Sequence, residues 1–72
     1  MGVIVDAKGL SCPQPVILTV KEMDRLQKGE IEILVDTDTS KENVSRAATA
    51  KGWTLKNIEE DESGYRIIIS KD

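Results

Sequence analysis

Histidine and phenylalanine are absent from this 72-residue sequence, cysteine occurs once, proline twice, and the aromatic residues are one tryptophan and one tyrosine. Without imidazole, neither a Cys-His or Ser-His catalytic pair nor a zinc site of the usual ligand set can be assembled. A single cysteine cannot close an internal disulfide. Any chemistry must therefore come from a thiol that works without an imidazole base. There is no apolar run near the ~20 residues needed to cross a bilayer, and the N-terminus lacks the basic-then-apolar plan of a signal peptide. These absences predict a cytoplasmic protein with no membrane partner.

Size and charge narrow the field further. A chain this short buries only roughly 60% of the surface its unfolded form exposes, so one domain over residues 1–72 is expected, with a thin core and no large enclosed active site. The ten Lys and Arg residues are scattered among thirteen Asp and Glu, giving a net charge of -3. Nucleic-acid backbones are bound by clustered cations, so direct DNA or RNA binding is not expected. The same charge and short core suggest a monomer.

Six elements can be read along the chain. The β-branched run Val3 to Val5, ended by Asp6, suits a buried strand. From Pro13 to about Gln27 the apolar positions Val16, Val20, Met23 and Leu26 recur every three or four residues, an amphipathic helix, with Gly29 in the turn beyond it. Ile31, Ile33 and Val35 alternate with Glu32 and Leu34 as a strand. "TSKE", Thr39 to Glu42, fits a capping box for a second helix that runs to about Lys51, buries Val44, Ala47 and Ala48, and closes on a left-handed Gly52. Trp53 to Glu60 is a less regular strand, because Leu55 and Ile58 are three apart and break the alternation. "DESG", Asp61 to Gly64, turns the chain into the strand Tyr65 to Ile69.

The order β-α-β-α-β-β predicts a right-handed parallel β-α-β unit followed by a hairpin. Two helices cannot cover both faces of such a sheet, so the expected architecture is a two-layer α/β sandwich, a four-stranded mixed sheet with both helices on one face.

The single cysteine lies in "GLSCPQP", Gly9 to Pro15. With Cys12 as the N-cap of the first helix, Pro13 and Pro15 occupy the first turn, where a missing N–H costs nothing. The N–H of Gln14 is then a natural donor to the Cys12 sulfur. The positive helix end favours a thiolate by about 0.3–1 kcal/mol, a modest activation, and Lys8 stands in the loop where it could approach. A lone cysteine is ordinarily a small buried hydrophobe; a cysteine opening a helix sits instead at the surface end of an element, where thiolate is favoured.

The stretch "DAKGLSCPQP", Asp6 to Pro15, resembles the D-x-x-G-L-x-C-P-x-P signature of the TusA/SirA-like sulfur-carrier family, with every fixed position of that signature matched. The resemblance implies that Cys12 is the sulfur-carrying cysteine and becomes a persulfide. It implies too that Asp6, Gly9, Leu10, Pro13 and Pro15 shape the loop and helix start that present it. Gln14 between the prolines, Val20 where the best-known TusA proteins have arginine, and "KENVSRAATAKGW", Lys41 to Trp53, are more similar to the N-terminal domain of YedF-type proteins. Those proteins are associated with sulfur and selenium metabolism and usually continue into a second, DsrE-like domain, which these residues do not include.

On this reading the partners are a persulfide donor, such as a cysteine desulfurase or rhodanese, and an acceptor sulfur-relay protein, with no metal or other cofactor. Other features have simpler explanations. Asp36 with Asp38, and "EEDE", Glu59 to Glu62, lack calcium-loop spacing and suit solvated turns. Trp53 and Tyr65 suit the core or a sheet face rather than base stacking. Ser40 and Lys41, at the second helix start, could hold an anion or serve as capping residues.

A rival from another class is a non-catalytic interaction or redox-sensing module, and an enzyme with its own substrate pocket is disfavoured by size. Alkylation rate against pH separates carrier from inert module: the carrier reading expects Cys12 to react faster than free cysteine below pH ~8.5, and a rate at or below that of free cysteine supports the module.

Overall fold

The computed structural model describes residues 2–10 and 14–72. The elements are β1 (Gly2–Asp6), α1 (Gln14–Leu26), β2 (Gly29–Val35), α2 (Asp38–Ala50), β3 (Thr54–Asp61) and β4 (Gly64–Lys71). The strands form one sheet in the order β1-β2-β4-β3. β1 runs parallel to β2, and β4 pairs antiparallel with both β2 and β3. This is the expected mixed four-stranded sheet with two helices.

Alternation along the two central strands explains why both helices share a face. Ile31, Ile33 and Val35 of β2 lie opposite Ile69, Ile67 and Tyr65 of β4, and all four isoleucines and Val35 are fully buried. Complete burial of each such side chain contributes about 1.5–3 kcal/mol before entropy is counted. The residues between them, Glu32, Leu34, Arg66 and Ile68, point to the other, open face. There Arg66 pairs with Glu32 and Glu59, and Ile4 of β1 stands 65% exposed.

In α1 the deepest stripe is Pro15, Thr19 and Met23, one residue off the centre expected from the apolar spacing; Val16, Val20 and Leu26 are half-buried at its flanks. Thr19 is fully buried because its hydroxyl donates to the Pro15 carbonyl at 2.8 Å, which satisfies it without an outside partner. α2 buries Val44 and Ala48 completely and leaves Ala47 half-buried. The helices are tied to each other at the surface by Lys51 and Asp24, 2.7 Å apart.

Two local expectations are corrected. The N-cap of α2 is Thr37 rather than Thr39: Thr37 is extended at φ -131° and ψ 152°, and its hydroxyl accepts from the Ser40 N–H at 3.1 Å. This starts the helix earlier and places Asp38 in the first turn, where its charge complements the helix end. Thr39 is left exposed on that turn. After α1, Gln27 takes the left-handed conformation at φ 62°, while Gly29 already opens β2. Gly52 closes α2 with a positive φ as expected.

The irregular spacing of Leu55 and Ile58 has a structural cause. The register with β4 shifts between Leu55 and Asn57, so Leu55 lies opposite Ile69 and Ile58 opposite Ile67. One extra residue, Lys56, is accommodated as a β-bulge, and side chains three apart thereby face the same side of the sheet. Both remain partly exposed because β3 is an edge strand at the rim of the helical layer.

Gly64, at the head of β4, has φ 139°, and a Cβ there would lie 2.2 Å from the Val35 carbonyl oxygen. The clash is with backbone that cannot swing aside. Gly64→Ala should therefore lower unfolding free energy by about 2–3 kcal/mol in urea titration; an unchanged midpoint contradicts this packing.

Candidate functional site

The chain direction gathers three connections at one end of the sheet. β1 and β2 are parallel and end together, and Tyr65 of β4 lies opposite both Val35 of β2 and Glu60 of β3. The loop after β1, the Asp36–Thr37 link into α2 and the β3–β4 turn are consequently neighbours. Cys12 belongs to the first of these connections by sequence. Cys12 and Pro13, and with them the expected N-cap geometry, lie outside the described residues.

The residues on either side of that segment are well anchored. Ala7 is fully buried and its N–H donates to the Leu34 carbonyl at 2.8 Å, extending the β1–β2 pairing by one residue. The Asp6 carboxylate accepts the Lys8 N–H at 3.1 Å, turning the chain. Gly9 follows at φ 80°, a conformation open to glycine without strain, and its N–H donates to the Asp36 carboxylate at 2.8 Å. Leu10 is half-buried against the core. On the far side, Gln14 is exposed at the start of α1 and Pro15 is fully buried beneath it.

Of the candidate site residues, Asp6, Gly9 and Leu10 thus form the loop, and Gln14 and Pro15 form the helix start. Lys8, expected to approach Cys12, donates from Nζ to the Ser63 hydroxyl at 2.7 Å in the β3–β4 turn. That turn is itself held by Asp61, whose Oδ1 accepts both the Ser63 N–H and its hydroxyl at 2.8 Å. Asp36 and Ser63 were not singled out as partners of the cysteine loop by their spacing. An Asp after a strand and a Ser in a turn-forming run are the only signals, and neither names a partner.

The acidic pairs have protein partners. Asp36 holds Gly9, and Asp38 pairs with Lys41 at 2.9 Å. That hydrogen bond holds the Asp38 carboxyl below its ordinary range and raises the Lys41 ammonium in return. Lys41 also lies over the Tyr65 ring, 4.8 Å from its centroid. Partial burial, with Glu60 nearby, pushes the Tyr65 hydroxyl up. Trp53 is buried in the core. Among the described residues no three Asp, Glu, Cys or His side chains gather as a metal site, and no helix is long and apolar enough to cross a membrane.

The Ser63 hydroxyl and N–H lower the Asp61 carboxyl. A carboxyl lowered in the folded state stabilises the fold at full strength above its unfolded value near ~3.9, and this contribution fades as pH falls through the folded value. Asp61→Asn should accordingly be less stable than the parent in urea at pH 7, with the gap closing as pH falls below the unfolded carboxyl value; a gap that stays constant to low pH would contradict the turn's electrostatics.

Comparison with known proteins covers nearly the whole chain. Residues 3–71 match the family model for sulfurtransferase TusA. A candidate sulfur carrier protein of Methanocaldococcus jannaschii is 40% identical over 68 residues, covering 93% of this chain and 91% of that one. The candidate sulfur carrier protein YedF of Escherichia coli is 35% identical over 68 residues, covering 93% and 88%. That YedF is thus nearly spanned by this chain, and the second domain expected from the YedF resemblance has no room in it. The crystal structure of a SirA-like protein from Desulfitobacterium hafniense superposes with a TM-score of 0.86 at 32% identity, covering 97% of this chain and 96% of that one. With the same strand and helix order, the signature loop at the end of β1 and a match from residue 3 to residue 71, the chain belongs to the TusA sulfurtransferase family.

Proposed function

We propose that the protein is a sulfur carrier whose Cys12 accepts sulfur as a persulfide and passes it to an acceptor protein. The observation that carries this reading is the coincidence of two independent facts. The C-P-x-P cysteine is joined to Gln14, the first residue of α1, by two peptide bonds, and the family match runs through it. Asp6, Gly9, Leu10, Pro13, Gln14 and Pro15 are the frame of that cysteine in this proposal.

The chemistry is a thiol–persulfide exchange. The Cys12 thiolate attacks the outer sulfur of a donor persulfide, R–S–SH, on a cysteine desulfurase or a rhodanese-type protein. A new S–S bond forms at Cys12, the donor S–S bond breaks, and the donor leaves as a thiolate that takes up the proton Cys12 lost. The net change is Cys12–SH plus R–S–SH giving Cys12–S–SH plus R–SH, with no net oxidation or reduction. An acceptor thiol repeats the exchange on the outer sulfur of Cys12. Exchange of this kind depends on the thiolate fraction of the attacker and on access to the sulfur attacked. It needs no general base, in keeping with a sequence that has no histidine.

The reading also accounts for where the protein spends its side chains. A carrier's selectivity lies in docking rather than in a substrate pocket, and the loop from Asp6 to Leu10 with the exposed Gln14 at the start of α1 is the contact surface proposed here. Ile17, 49% exposed one turn into the helix, adds an apolar contact beside it.

Intact-protein mass spectrometry after incubation with a cysteine desulfurase and cysteine tests the proposal. One sulfur atom should add to the wild type, be removed by dithiothreitol, and be missing from Cys12→Ser. A wild type that stays unmodified while the desulfurase itself is loaded would falsify the carrier role.

A further inference from the structure

Asp36 lies outside the signature loop, yet its carboxylate reaches into that loop. It sits just beyond β2 and accepts the Gly9 N–H at 2.8 Å, across 27 residues of sequence. Gly9 stands at φ 80° between a fully buried Ala7 and the core-packed Leu10, inside a turn closed by the Leu10 N–H donating to the Ala7 carbonyl at 3.4 Å. The tie therefore anchors the turn from Ala7 to Leu10, which precedes Cys12 in the sequence. Among the described residues the loop is also tied to the β3–β4 turn, by Lys8 to Ser63, and that tie acts through a long flexible side chain. A short carboxylate bonded to backbone is the more rigid of the two.

We propose that Asp36 is a positioning residue for sulfur transfer: by holding the Gly9 amide it fixes the loop that presents Cys12 to the donor persulfide. This inference rests on the carrier reading above. Gly9 and Asp36 are both exposed, so water can replace the lost bond at little cost to global stability. What is lost instead is the preorganisation of the attacking thiol, which appears in the rate of the chemical step rather than in donor affinity.

The test compares wild type, Asp36→Ala and Asp36→Asn in sulfur loading from a persulfurated cysteine desulfurase, with kcat and KM separated. Asp36→Ala should lower kcat about tenfold and change KM by less than about twofold, with the thermal midpoint nearly unmoved. Asp36→Asn keeps an oxygen that can accept the Gly9 N–H and should stay within about twofold of wild type. Loading of Asp36→Ala at the wild-type rate overturns the proposal, as does an equal loss in Asp36→Asn. A wild type that does not load at all sinks the carrier reading instead, so the two failures are distinct. If Asp36→Ala does not fold, hydrogen exchange in the wild type decides: the Gly9 amide should exchange about tenfold or more slower than an unstructured glycine, and an unprotected amide overturns the assignment.

Discussion

Everything in this small fold depends on the burial of one face of the central strand pair. Ile31, Ile33 and Val35 on β2 and Ile67 and Ile69 on β4 lose all contact with solvent beneath the two helices. Because side chains in a strand alternate, this burial sets the register of β2 against β4 and the face on which the helices must lie. A slip of one residue would bring Glu32 and Arg66 into the core and leave the isoleucines in water. Met23, Val44 and Ala48 from the helices, with Trp53 at the head of β3, complete the packing.

The same constraint assembles the site. Parallel pairing of β1 with β2 requires a helical crossover, and that crossover starts in the loop holding the cysteine. Antiparallel pairing of β4 then brings the β3–β4 turn to the same end. Three connections from distant parts of the sequence meet there, and their polar side chains are used on one another: Asp36 on Gly9, Lys8 on Ser63, Asp61 on Ser63. A chain too short for an enclosed pocket can still hold a loop firmly by this means. The sulfur-carrier chemistry proposed for Cys12 would ask little more of it than a fixed loop and an approachable surface.

The element order, the parallel first pair, the hairpin and the single helical layer were legible in the sequence, because each follows from periodicity or from a turn residue. The apolar alternation of β2 and β4 was unambiguous. What escaped was set by tertiary partners. Thr19 looks polar and is fully buried, since its hydroxyl is satisfied by the Pro15 carbonyl one turn back. Thr37 and Thr39 are equivalent as capping residues by type, and only the extended backbone at Thr37 chooses between them. The three-residue step from Leu55 to Ile58 looked like a weak strand and is a regular one with a bulge at Lys56. At the site, the cysteine and its prolines were marked by the motif, whereas the roles of Asp36 and Ser63 arise from contacts over long sequence separations that no local pattern records.

A carrier must release what it accepts, and this two-way traffic is the central claim about Cys12. The most direct measurement is a chase with radiolabelled sulfur. Protein loaded from a labelled donor is freed of that donor and then mixed with a second thiol protein. The account predicts that the label leaves Cys12 and appears on the second protein with the carrier recovered unmodified and folded. Label that never reaches the protein, or that stays on it through the chase, would contradict the account.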